Sequence, residues 1–104
     1  MYRGTTPTLT FTLPMDASEL STYYITISQV FGKSVSPIIE KSDEDCESAG
    51  RVITCVLSQE DTLLLSDGQP VLIQIRALTT EDVALASKIF RTTADMILKE
   101  GVIE

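Results

Sequence analysis

Two thiols and a run of carboxylates are the groups in this chain most able to do chemistry. Cys46 and Cys55 flank Ser48-Ala49-Gly50, a stretch that reads as a turn. If the flanking segments form a hairpin, the thiols face each other, and a cross-strand disulfide is conceivable wherever the Cα spacing permits it. In a cytoplasmic setting reduced thiols prevail, so the expectation is two free thiols with Cys55 in the core. The chain has no His, and two cysteines alone do not build a structural zinc site. The run Glu40-Lys41-Ser42-Asp43-Glu44-Asp45-Cys46-Glu47 clusters carboxylates. It lacks the alternating oxygen ligands and central Gly of a calcium loop, and it reads as a solvated acidic loop.

Enzyme chemistry finds no constellation here. Without His there is no Ser-His or Cys-His nucleophile pair. No glycine-rich phosphate loop is present. Asp43, Glu44 and Asp45 could in principle share acid/base work, but they lie in a polar run with no apolar neighbours to raise a carboxyl pKa. Arg76, among apolar residues on a strand, reads as a side chain laying its stem over the wet face of a sheet. Tyr23 and Tyr24 alternate, one core and one exposed. The expectation is therefore a non-enzyme, with no catalytic residue, no cofactor and no metal. The remaining candidate is an interface: Thr8, Thr10 and Thr12 form a polar, uncharged strand face that another subunit could pair with.

The elements that would position these residues are strands. The chain of 104 residues fits one domain over 1–104, and its 43% apolar content suits a globular core built from Leu, Ile and Val. Eight basic against fifteen acidic residues give a net charge of -7, which disfavours nucleic acid and an anionic membrane surface. No segment is long enough to span a bilayer, no signal-peptide pattern is present, and a cytoplasmic site of synthesis is expected.

Residues 7–13 alternate, with Leu9, Phe11 and Leu13 on one face and threonines on the other, the pattern of a half-buried strand. The strand starts early because the domain is expected to start there, with no linker before it. Residues 21–31 form a second strand, with Tyr23, Ile25 and Ile27 on one face and a break in alternation at Val30-Phe31 that suggests a bulge. Gly32-Lys33 turns the chain into residues 35–41, where Pro37 argues for an edge or a bulge. Residues 51–57 put Ile53, Cys55 and Leu57 together, with Val52 and Val56 opposite, which suggests cover on both faces. Ser58 followed by Glu60 and Asp61 marks a short helical turn near residues 58–62. Asp67-Gly68 is a turn; residues 71–78 and 83–92 then form a hairpin. Residues 93–104 are read as extended.

Roughly six or seven short strands with regular turn signals suggest an all-β fold, a small antiparallel β-sandwich of immunoglobulin-like architecture; a small closed barrel is the alternative. The expected core is Leu9, Phe11, Leu13, Ile25, Ile27, Ile53, Cys55, Leu57, Leu64, Val71, Ile73, Ile75, Ala86 and Ile89.

Three stretches carry a family resemblance. They are Arg3-Gly4-Thr5-Thr6-Pro7-Thr8 with Thr10-Phe11-Thr12-Leu13-Pro14; Leu57-Ser58-Gln59-Glu60-Asp61-Thr62-Leu63-Leu64; and Val71-Leu72-Ile73-Gln74-Ile75-Arg76-Ala77-Leu78-Thr79-Thr80 with Ala84-Leu85-Ala86-Ser87. Together they resemble small proteins encoded near tail genes in phages and prophages of Firmicutes. They are also similar to the N-terminal module of phage baseplate upper proteins, a β-sandwich that attaches fibre or receptor-binding components to the baseplate. The resemblance implies a tail or baseplate structural protein, other tail proteins as partners, copies arranged around a tail axis, and residence in the virion tail once assembled. A carbohydrate-binding β-sandwich that contacts a host surface is the alternative, and a carboxylate-based enzyme is a third reading.

Overall fold

A computed structural model describes residues 1–104. The protein is mostly β, with two antiparallel sheets. The strands are β1 (Thr8–Thr12), β2 (Leu20–Phe31), β3 (Ser34–Ser42), β4 (Glu47–Ala49), β5 (Val52–Val56), β6 (Pro70–Thr79), β7 (Ala84–Ala86) and β8 (Phe90–Thr93), and one short helix, α1 (Gln59–Leu63), follows β5. One sheet has the order β1-β5-β4; the other runs β3-β2-β6-β7, with β8 also paired to β6. The chain therefore crosses between sheets after β1, after β3 and through α1.

Alternation sets the core. In β2, Tyr23, Ile25 and Ile27 point inward; in β6, Val71, Ile73 and Ile75 do so; in β5, Ile53 and Cys55 do so. These meet Phe11, Ile39, Leu57, Leu65 and Ala94 in one apolar cluster fed by both sheets. Leu9 and Leu13 pack against it half-buried. Tyr23 is the buried member of the tyrosine pair and Tyr24 the exposed one. Gln29 extends the inward face of β2 one step further. It is fully buried and clamps the chain beyond α1, donating from Nε2 to the Ser66 carbonyl at 2.8 Å and accepting from the Ser66 N–H at 2.8 Å.

Several expectations need correction. Leu64 is 61% exposed and Leu65 is the buried residue; α1 turns Thr62 inward, and three residues on, near one helical turn, Leu65 follows it. The partner strand of β6 is split rather than continuous. Paired positions add to 162 in β7 (Arg76 with Ala86) and to 163 in β8 (Ile73 with Phe90), so one extra residue sits between them. Ala86 lies opposite the exposed Arg76 and faces out, while Leu85 opposite Ala77 takes the inward place. Ile89 falls in the interruption and is 57% exposed. Val56 is 58% exposed, so the outer face of β5 is not fully covered. The irregularity in β2–β3 pairing lies at Ile27/Ser28, not at Val30-Phe31. It leaves Ile38 unmatched beside Pro37, and β3 is an edge strand as well.

The last residues are not helical. Tyr2 and Asp95 form an isolated parallel bridge, and the N-terminus is bound to this segment. The Met1 ammonium donates to the Thr93 carbonyl at 3.0 Å and meets the Asp95 carboxylate at 3.1 Å. Arg3 closes the C-terminal end of α1, donating from Nε to the Leu65 carbonyl at 2.6 Å and from Nη2 to the Leu63 carbonyl at 3.1 Å. At Gly4, φ is +69°, and an added Cβ would meet Ile97 at 3.0 Å; the left-handed backbone and the tight approach both call for glycine there.

Candidate functional site

β1 bonds to β5 alone and forms one margin of the smaller sheet. Its regularity follows from its sequence: five residues alternate without a charge or a proline between Pro7 and Pro14. The Pro7 carbonyl accepts from the Leu57 N–H at 3.0 Å, and the Leu13 N–H donates to the Arg51 carbonyl at 2.7 Å. Hydrogen-bonded positions alternate along an antiparallel pair. Residues 7, 9, 11 and 13 therefore turn their backbone groups toward β5, and Thr8, Thr10 and Thr12 turn theirs away. No backbone hydrogen bond outside the ladders engages these three threonines. Their side chains are exposed too. The residues singled out by alternation alone thus carry both the free side-chain face and the free backbone groups.

Beside the C-terminal half of β1 a cleft of about 530 Å³ opens between the two sheets. Phe11, Leu13, Met15, Leu20, Leu85 and Phe90 supply most of its apolar wall. Phe11 and Phe90 meet edge to face across it, with ring centroids 6.2 Å apart. β1 forms one rim, and β7 with β8 the other. Sequence reasoning found Phe11 and Leu13 but assigned them wholly to the core. The cleft wall from β7 and β8 was hidden by the inserted residue, which has no signature in composition.

The other margins are blunted. β4 has three residues and begins with Glu47. β3 carries Pro37, Glu40 and Lys41 and the register shift. β7 and β8 are short, separated by the insertion, and β8 bears Arg91. Proline, charge, shortness and bulges are the usual means of keeping an edge from pairing, and β1 has no proline, charge or bulge within its span.

Cys55 lies on the middle strand of the smaller sheet, and Cys46 and the carboxylates of residues 43–47 lie toward its β4 margin. Lys41 Nζ meets Asp61 Oδ2 at 2.9 Å, joining the end of β3 to α1. Asp61 also accepts from the Ser58 N–H at 3.0 Å, while its own N–H donates to Ser58 Oγ at 3.1 Å, a reciprocal cap on the helix start. Burial pushes the Asp61 carboxyl up, but the Ser58 N–H, the Lys41 ammonium and the Ser58 hydroxyl outweigh it and hold it below its ordinary value. Tyr23 is pushed up to about 12, by burial first and then by Cys46, Asp43 and Cys55. Asp43–Asp45 form a single 3-10 turn with no buried residue, and no group of three or more His, Cys, Asp or Glu side chains is placed to hold a metal ion. Arg76 lies on the outer face of the larger sheet in a shallow depression with Tyr24 and Glu40, away from the β1 margin. No helix is long and apolar enough to cross a membrane.

No protein-family model, curated protein or solved structure matches this chain.

Proposed function

We propose that this protein is a non-enzymatic structural module that assembles through its β1 margin, in a phage or prophage tail or baseplate among other tail proteins. Its architecture is read as an immunoglobulin-like β-sandwich. The thinnest extent of the Cα trace is 17 Å, which suits two sheets stacked about 10 Å apart. The observation that carries the assembly reading is the set of unused N–H and C=O groups on Thr8, Thr10 and Thr12, next to an apolar cleft. Strand addition uses this combination: main-chain bonds supply affinity, and alternate side chains reach a pocket.

The occupant of this margin is β1 of a second copy. Each chain carries -7 overall, so most surfaces repel a copy of themselves. β1 contains no charged residue, and two antiparallel β1 strands meet without bringing like charges together. The joined sheets would share a continuous inner face of Leu9 and Phe11 from each copy.

Sedimentation across a concentration series tests this. Wild type is expected to dimerise. Thr10→Lys places a charge on the seam, and Thr12→Pro deletes an N–H that the single chain does not use for pairing; both are expected to remain monomeric with unchanged circular dichroism. A wild type that stays monomeric at every concentration overturns the self-association, as does an oligomer indifferent to both variants.

A further inference from the structure

In the β4–β5 ladder Glu47 lies opposite Thr54 and Ser48 opposite Ile53. Cys46 keeps extended backbone, with φ -126° and ψ 166°. Carrying the register one residue further sets Cys46 opposite Cys55. β5 directs the backbone groups of its odd-numbered residues toward β1, as the bonds at Arg51 and Leu57 show. On the β4 side Cys55 is therefore a non-hydrogen-bonded position. Such pairs have the shorter Cα separation, about 4.5 Å, and the closest side chains. That spacing falls within the range of about 4.4–6.8 Å that a disulfide spans.

Opposed residues share a face. Cys55 is buried, and Cys46 is half-buried against the same core. Burial raises the Cys46 thiol above its ordinary value, and the neighbouring Cys55 thiol adds to this. The Lys41 ammonium nearby acts in the opposite direction and favours the Cys46 thiolate.

We propose that Cys46 and Cys55 form a covalent modification site, a dithiol that closes to an intramolecular disulfide by exchange with a low-molecular-weight disulfide such as oxidised glutathione. Cys46, the more accessible of the two, loses its proton to solvent and attacks one glutathione sulfur. The glutathione S–S bond breaks, and one glutathione thiolate leaves. The Cys55 thiolate then attacks Cys46 Sγ, forming the protein disulfide and releasing the second glutathione. The two thiol protons of the protein finish, through solvent, on the two glutathione thiols. The protein loses two electrons and oxidised glutathione gains them. The bond ties β4, whose three residues are all exposed, to the middle of its sheet. It stabilises the fold by restricting the unfolded chain.

The test treats the folded full-length chain with excess oxidised glutathione, followed by non-reducing intact mass, thiol titration and urea unfolding. The expected product is lighter by two hydrogens, retains no glutathione and has no titratable thiol. Its urea midpoint is higher than that of the reduced protein, and dithiothreitol reverses the change. Cys55→Ser is expected to stop at the mixed disulfide on Cys46, and folded Cys46→Ser to remain unmodified. Should Cys55→Ser fail to fold, the wild-type mass and midpoint still decide. Persistence of both thiols, a stable glutathione adduct on wild type, a disulfide between two chains, or a lowered midpoint on closure would each overturn the proposal.

Discussion

β1 and β3 are both margin strands, one in each sheet, and they are built in opposite ways. β3 spans nine residues but cannot present a regular ladder outward. Pro37 removes a donor, the register shift at Ile38 bends the strand, and Glu40 and Lys41 add charge. Its end is pinned to α1 by Lys41 and Asp61. β1 has five residues, no interruption, and no ion pair from any of them among the salt bridges of the fold. A long margin can thus be closed to partners while a short one stays open. Length matters less than whether consecutive outward N–H and C=O groups keep their spacing.

The largest effect that would sharpen this contrast is on stability. Phe11 in β1 is 9% exposed and Ile39 in β3 is 4% exposed. Phe11→Ala is expected to cost about 3 kcal/mol and Ile39→Ala about 2–3 kcal/mol in urea melts. The Phe11 value falls at the low end of its class because the ring already borders the cleft. A loss below about 1 kcal/mol at Phe11 would mean that β1 hardly contributes to the core, and the contrast would become one between a detachable strand and an integral one.

The next concerns the pin on β3. Asp61 is held below its ordinary pKa, so its contribution is complete above the usual carboxylate value of about 4 and is lost as pH falls through the lowered folded value. Lys41 is raised, first by its hydrogen bond to Asp61. Its contribution is complete below the usual lysine value of about 10.4 and is lost as pH rises through the raised one. Asp61→Asn keeps an acceptor for the Ser58 N–H but removes the ion pair. It is expected to cost about 1 kcal/mol at neutral pH and to flatten the acid limb of the stability profile. An unchanged acid limb would show that β3 is held by its ladder alone.

The smallest stability effects accompany the clearest separation in behaviour. Thr10→Lys alters an exposed position on β1 and Ser36→Lys a half-buried one on β3, where the lysine stem can lie along the surface with its ammonium in water, and each is expected to change stability by no more than about 0.5 kcal/mol. Only Thr10→Lys should abolish dimerisation in sedimentation. If Ser36→Lys abolishes it instead, the open and closed margins have been assigned the wrong way round.

Local pattern in the sequence determined much of this molecule. Alternation located β1, β2, β5 and β6 and the inward faces of Phe11, Ile25, Ile27, Ile53, Cys55, Val71, Ile73 and Ile75, because a strand's side chains repeat every two residues whatever surrounds it. Ser58 announced α1 through its cap, and Pro37 pointed to an edge or a bulge, of which β3 has both. The threonine face of β1 was legible for the same reason. Tertiary structure decided what no window of sequence encodes. Which strand is a margin depends on pairing between residues far apart in the chain, and so does the identity of the backbone groups left free on Thr8, Thr10 and Thr12. Pairing opposite Arg76 turned Ala86 outward, and one inserted residue between β7 and β8 displaced Ile89, since a single-residue slip moves every later side chain to the other face. Arg3 reaching the end of α1, Gln29 clamping Ser66 and Cys46 settling opposite Cys55 all join segments brought together only by folding, so their partners are fixed by the packed chain and not by neighbours in sequence.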